Sequence, residues 1–153
     1  MTLLILSLLI GIVAGLRTMT APAAVAVGAR FGTIAVAGTP LAFMGFTWTP
    51  WIFCALAIVE LVTDQLPTTP SRKAPVPFAA RVLTGALSGA TLAAPQGSLV
   101  AGLIAGIIGA VIGTLGGAAF RARLAAAFGK DRPAALIEDV VAIGAAALIV
   151  LAS

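Results

Sequence analysis

Four carboxylates and three arginines stand where an apolar chain tolerates charge least, with a fourth arginine close by. Glu60 and Asp64 are four residues apart, so a helix places both on one face. Glu138 and Asp139 lie about one turn into the last apolar run. Arg17 falls about fifteen residues into the first run, Arg81 opens the third and Arg121 ends the fourth, with Arg72 in a connector. A charge near a bilayer centre costs about 2.5–3.5 kcal/mol on insertion scales, so such groups face a bundle interior and pair. Two chemistries suit the set. One is a self-neutralising ion-pair network that fixes helix register. In the other, arginines hold an anion in their planar forks while the carboxylates carry protons or cations. The functional expectation is a polar cavity where Arg17, Glu60, Asp64, Arg81, Glu138 and Asp139 converge, with Arg72 and Arg121 at its mouth. Pro22 and Pro67 would break helix nearby and free backbone groups for a ligand. No residue is assigned a catalytic role, and no cofactor is expected.

The elements that must position these groups are membrane helices. Of 153 residues, 61% are hydrophobic and 9% charged, and the mean hydropathy is +1.16. A soluble domain carries about 25% charged residues. The uncharged run Val82 to Phe120 would be about 58 Å long as helix, nearly twice the hydrocarbon core, so it must turn back. A water-soluble globule is excluded. So are a disulfide scaffold, since Cys54 is alone, and a His-ligated metal site or Ser-His-Asp hydrolase, since there is no His. The net charge of +4 reads as basic cytoplasmic loops rather than nucleic-acid binding.

Proline, glycine and charge divide the chain into about five spans, expected to form one all-α polytopic bundle over residues 1–153. The first runs from Leu3 toward Ala29, broken or kinked near Arg17 to Pro22. It lacks the basic start of a signal peptide and is read as a mature helix. Phe31 to Trp48 is a loop or a half-inserted segment, and Trp48 and Trp51 are interfacial anchors. The remaining spans are Pro50–Leu66, Phe78–Ala94, Ser98–Phe120 and Pro133–Leu151, with Asp131 as an N-cap. Loops 67–77 and 121–132 are basic and lie on one side, so the positive-inside rule makes them cytoplasmic. With five spans the N-terminus is cytoplasmic and Ser153 external.

Gly102, Gly106, Gly109, Gly113 and Gly116 recur at a mean step of 3.5 and share one seam, with Gly11/Gly15 and Gly85/Gly89 as further small-residue pairs. They suit tight packing within a protomer or a homodimer seam. A homodimer is expected, because a 15 kDa protomer has little room to enclose a pathway. An internal symmetry also relates Gly11-x-x-x-Gly15-x-Arg17, followed by Glu60 and Asp64, to Gly113-x-x-Gly116-x-x-x-x-Arg121, followed by Glu138 and Asp139. It would make an inverted repeat.

The segments Gly15-Leu-Arg-Thr-Met-Thr-Ala-Pro22, Glu60-Leu-Val-Thr-Asp64-Gln-Leu-Pro67-Thr-Thr-Pro70-Ser-Arg72 and Arg132-Pro-Ala-Ala-Leu-Ile-Glu138-Asp139 resemble a small bacterial membrane family, domain of unknown function 4126. The resemblance covers nearly the whole chain and implies an integral membrane protein without naming an activity; the inner membrane is the expected location. Glu60 to Arg72 alone is similar to re-entrant loops of DedA-type lipid-carrier transporters and undecaprenyl-diphosphate phosphatases. That likeness implies polyprenyl phosphate as a ligand class. The chain departs from both in lacking a second copy, a Ser-Arg-Ser element and half the length, which a dimer could supply.

Three function classes follow. The leading one is a small transporter or channel-like protein for an ion or anionic solute, including a lipid phosphate head group. The second is a lipid-phosphate hydrolase or transferase holding Mg²⁺ on Glu60, Asp64, Glu138 and Asp139. The third is a membrane scaffold whose glycine seam binds partner helices.

Overall fold

A computed structural model describes residues 2–64, 71 and 73–153. The described residues form six α-helices and two short 3-10 turns: α1 (Thr2–Leu16), α2 (Thr20–Phe31), α3 (Thr49–Thr63), α4 (Pro75–Ala93), α5 (Leu99–Phe128) and α6 (Asp131–Leu151). Three stretches are long and apolar enough to cross a membrane: Pro75–Gln96, Leu99–Phe128 and Asp131–Leu151. α1 and α3 are apolar but have 15 residues each, about 22 Å of helix.

Glycine decides the centre of the bundle. A Cβ on Gly106 would lie 2.1 Å from the Gly85 carbonyl oxygen of α4, and one on Gly109 would lie 2.1 Å from that of Leu8 in α1. Those backbones touch only because nothing intervenes, which is how apolar helices associate without a hydrophobic driving force. The seam is therefore filled from within the chain as far as Gly113, which meets Ile12. Gly116 meets nothing within 4 Å. It lies level with the end of α1 at Leu16, so the arithmetic that put it on the seam outruns its partner helix.

The contacts also set direction. Gly11 lies against Gly106 and Gly15 against Thr114, so α1 and α5 run the same way. Gly89 meets Gly102 while Gly85 meets Gly106 and Ala110, so α4 runs opposite to α5. Ser7 Oγ donates to the Gly89 carbonyl at 2.9 Å, joining the start of α1 to the end of α4. Gly28 packs on Val150, while Arg17 meets Asp139 eleven residues earlier in α6. α2 therefore runs back beside α6.

The first span, expected from Leu3 toward Ala29 as one crossing broken or kinked near Arg17 to Pro22, is broken there, but it folds back: residues 2–31 are a helical hairpin with its tip at Arg17-Thr18-Met19. The six helices alternate in direction. The start of α1 and the end of α6 lie at one end of the bundle, and Arg17, Asp64, Arg121 and Asp131 gather at the other. This moves the N-terminus to the end opposite the basic loops. The cause is the fold-back at Arg17, and not a crossing by 31–48, which holds only a 3-10 turn at Ala42–Gly45. Because α1 and α5 are parallel, the Arg17-bearing and Arg121-bearing segments are not related by inversion.

Boundaries shift in physically simple ways. α4 starts at Pro75, because proline is tolerated in a first turn where its missing N–H has no partner. α5 continues eight residues beyond Phe120, ending at Gly129 with φ +66°. Residues 121–128 are therefore helix rather than loop. Lys130 is the N-cap of α6; Asp131 is its first helical residue and turns to Arg121 instead of capping. Pro67 and Arg72 lie outside the described residues.

Candidate functional site

The hairpin tip is where the charges meet. α1 ends with the Arg17 N–H donating to the Val13 carbonyl at 2.8 Å, and α2 begins three residues on, so the tip exposes amide groups that no helix satisfies. Glu60 at the end of α3 supplies the acceptor. Its two carboxylate oxygens accept from the Thr18 N–H at 2.7 Å and the Met19 N–H at 2.8 Å. A carboxylate at a helix N-terminus also meets the positive end of the macrodipole of α2.

Arg17 itself is fully buried. Its Nη1 donates to Asp64 Oδ2 of α3 at 2.5 Å, and Nη2 contacts Asp139 Oδ1 of α6. Nε has no hydrogen-bond partner among the described residues. One guanidinium therefore ties the end of α3 to the third turn of α6. α3 needs this tie, since it packs mainly on α2 and buries only Pro50 fully.

Arg121 forms a second hub. Nη1 lies 3.2 Å from Asp64 Oδ2 and 3.6 Å from Glu138 Oε2. Nε and Nη2 grip Asp131 in a two-pronged pair at 3.0 and 2.6 Å. The guanidinium fork matches a carboxylate in that arrangement. Arg81, buried on α4, reaches Glu60 Oε1 at 3.9 Å. Asp64 is thus shared by Arg17 and Arg121, and Glu60 divides itself between two amides and Arg81.

Of the expected residues, Arg17, Glu60, Asp64, Arg81, Arg121, Glu138 and Asp139 stand in one connected network. Arg72 is outside the described residues. Arg121 belongs to the network's interior rather than to a mouth, being only 15% exposed at its side chain. Asp131 joins it unexpectedly, so all five carboxylates of the chain are drawn to one end. Its spacing of ten from Arg121, across a Gly-Lys turn, was the available signal. The backbone amides of Thr18 and Met19 are a further component that residue types do not reveal.

The cluster stands on an open groove. α2 forms its floor, with Ala57 and Leu61 of α3 on one wall and Ile143 and Ala147 of α6 on the other; its volume is about 550 Å³. The lining is almost entirely apolar, so the expected polar cavity is not what this space provides. The polar groups close its one end.

No family model matches the chain, and no curated protein or solved structure matches it either.

Proposed function

We propose that the chain is a small inner-membrane transporter or channel-like protein for an ion or anionic solute, a lipid phosphate head group falling within that class. The exchange site is the network around Arg17. One observation supports this above others: Arg17, buried at a break between two apolar helices, is held by carboxylates from two further helices, and one of these is shared with Arg121. An incoming anion can replace Asp64 on either arginine while the other partner remains, so neither cation is left bare. Protonation of a carboxylate has the same loosening effect. Because Arg17 and Arg121 both join Asp64 at the end of α3 to carboxylates of α6, exchange at Asp64 alters the polar link between the two walls of the groove.

The exposed Lys73, Arg123, Lys130 and Arg132 lie at the same end and attract anions toward it. They also favour a cytoplasmic placement of that end. Membership of the uncharacterised family resembled by the sequence, and a homodimer that widens the pathway, belong to the same reading.

The scaffold reading, a glycine seam that binds partner helices, gains little, since α1 and α4 of the same chain already occupy that seam from Gly102 to Gly113; a purely structural network remains the competing account, because Arg17 and Arg121 each already have carboxylate partners. The Mg²⁺-dependent enzyme reading gains no such support, since no three Asp, Glu or Cys residues among the described residues are grouped to hold a metal ion. Flux of labelled chloride and inorganic phosphate into proteoliposomes, with and without Mg²⁺, separates the three. The transporter reading expects flux independent of Mg²⁺. Turnover of a lipid phosphate without flux supports the enzyme, and neither flux nor turnover supports the scaffold.

A further inference from the structure

Arg30 lies at the end of the bundle opposite the charged network. It is exposed, in the last turn of α2, and has no ion pair among the described residues. No Asp or Glu side chain stands near it, because all five are gathered at the other end, with Arg17 thirteen residues and about 20 Å of helix away. Arg30 lines a recess of about 250 Å³ with Thr47, Trp51 and Cys54. This recess shares Val27, Phe31 and Cys54 with the apolar groove, so the two are continuous. A cation, a hydroxyl and an indole thus stand at the head of an apolar channel that ends near Arg17.

The dimensions select what fills it. The groove follows α2 from Thr20 to Phe31, about 17 Å of helix. That is close to half of the roughly 30 Å hydrocarbon core, the depth of one leaflet. A volume of about 550 Å³ along this length accommodates one extended hydrocarbon chain. The exposed cation at the head of the groove favours an anionic lipid over an apolar helix of a second copy. Trp48 and Trp51, both exposed at this end, have the amphipathic rings that settle at the head-group level.

The geometry points to a lipid site: one acyl chain of an anionic phospholipid lies in the groove between α2, α3 and α6, its phosphate-bearing head group on Arg30 beside Thr47 and Trp51. The chain runs inward along α2 and its tip reaches Thr20, Leu61 and Ile143, next to the Arg17 tie. The site needs no transport activity. It would remain if the flux reading failed, and its own failure would leave that reading standing.

The test uses the whole protein in phosphatidylcholine vesicles with a trace of phosphatidylglycerol carrying a photoactivatable group at one chain terminus. Capture should saturate and map to the deep end of the groove. Unlabelled phosphatidylglycerol should compete about fivefold better than phosphatidylcholine, the worth of one arginine at an anionic head group. Arg30→Gln, an exposed change, should abolish that preference while chain capture persists. Ala147→Trp should block capture of both lipids, and Ala57→Trp on the opposite wall provides the same block should the first variant misfold. The inference is overturned by equal competition from the two lipids in wild-type protein, or by a preference that survives Arg30→Gln. Unsaturable capture spread over the outward ridge of Val100, Ile104 and Ile108 would mark ordinary boundary lipid and also overturn it. So would a groove found cross-linked to a second copy, or capture displaced equally well by soluble glycerol phosphate.

Discussion

Replacing Gly106 by alanine places one methyl group at one of the two tightest glycine crossings of the bundle. The new Cβ would stand 2.1 Å from the Gly85 carbonyl oxygen, 2.9 Å from its carbon and 3.2 Å from the Gly89 Cα. All three are backbone atoms, so no side chain can rotate away. α4 and α5 must separate by about 1 Å, and a gap of that size forfeits up to about half of each dispersion contact along the interface. Overpacking costs about 1–3 kcal/mol, and rigid backbone neighbours put this site at the upper end, about 3 kcal/mol. Gly116→Ala on the same helix is the control. Its Cβ meets nothing within 4 Å, so the change is neutral or stabilising by up to about 1 kcal/mol through helix propensity. Unfolding in mixed detergent–dodecyl sulfate micelles, followed by helical circular dichroism, reads both. Equal stability of Gly106→Ala and Gly116→Ala would refute the packing argument.

The fold-back at Arg17 places both chain ends on one side: in a Cys54→Ala background, cysteines at Thr2 and Ser153 should react with an impermeant maleimide from the same face and cysteines at Ser71 and Lys130 from the other. Asp64→Asn removes a partner from both Arg17 and Arg121 and should cost about 3 kcal/mol in the same micelle assay. Asp131→Asn breaks an exposed pair on one arginine and should cost under about 1 kcal/mol. Ser7→Ala deletes the buried bond to Gly89 and should cost about 0.6 kcal/mol, and at most about 1.7, as interhelical hydrogen bonds in membranes do.

How much of this was legible depended on whether the cause was local. Buried charge is expensive wherever it occurs, so Arg17, Glu60, Asp64, Arg81, Arg121, Glu138 and Asp139 could be grouped from residue type and depth alone. Glycine spacing likewise exposed the seam from Gly102 to Gly113. The direction of α2 was not legible. Thr18-Met19 contains neither glycine nor proline, and what stabilises its turn is the carboxylate of Glu60, more than forty residues away. A turn held by a distant side chain leaves no signature at the turn. Asp131 was misread for a related reason, since a first-turn aspartate reads as a cap until the fold supplies a competing guanidinium. Arg30 drew no attention because an exposed helical arginine is ordinary until its neighbours form a groove.

The measurement that tests the central claim most directly is anion flux through a charge-balanced pair of substitutions, Arg17→Gln with Asp139→Asn. Asn matches Asp in shape and Gln keeps part of the stem of Arg with a polar end, and together they leave the net charge of the network unchanged, so the bundle should retain its helical content. If Arg17 is the exchange group, the reconstituted double variant is folded and carries no chloride or phosphate above protein-free vesicles, whereas wild type does. A folded double variant that moves either ion at the wild-type rate would contradict the account.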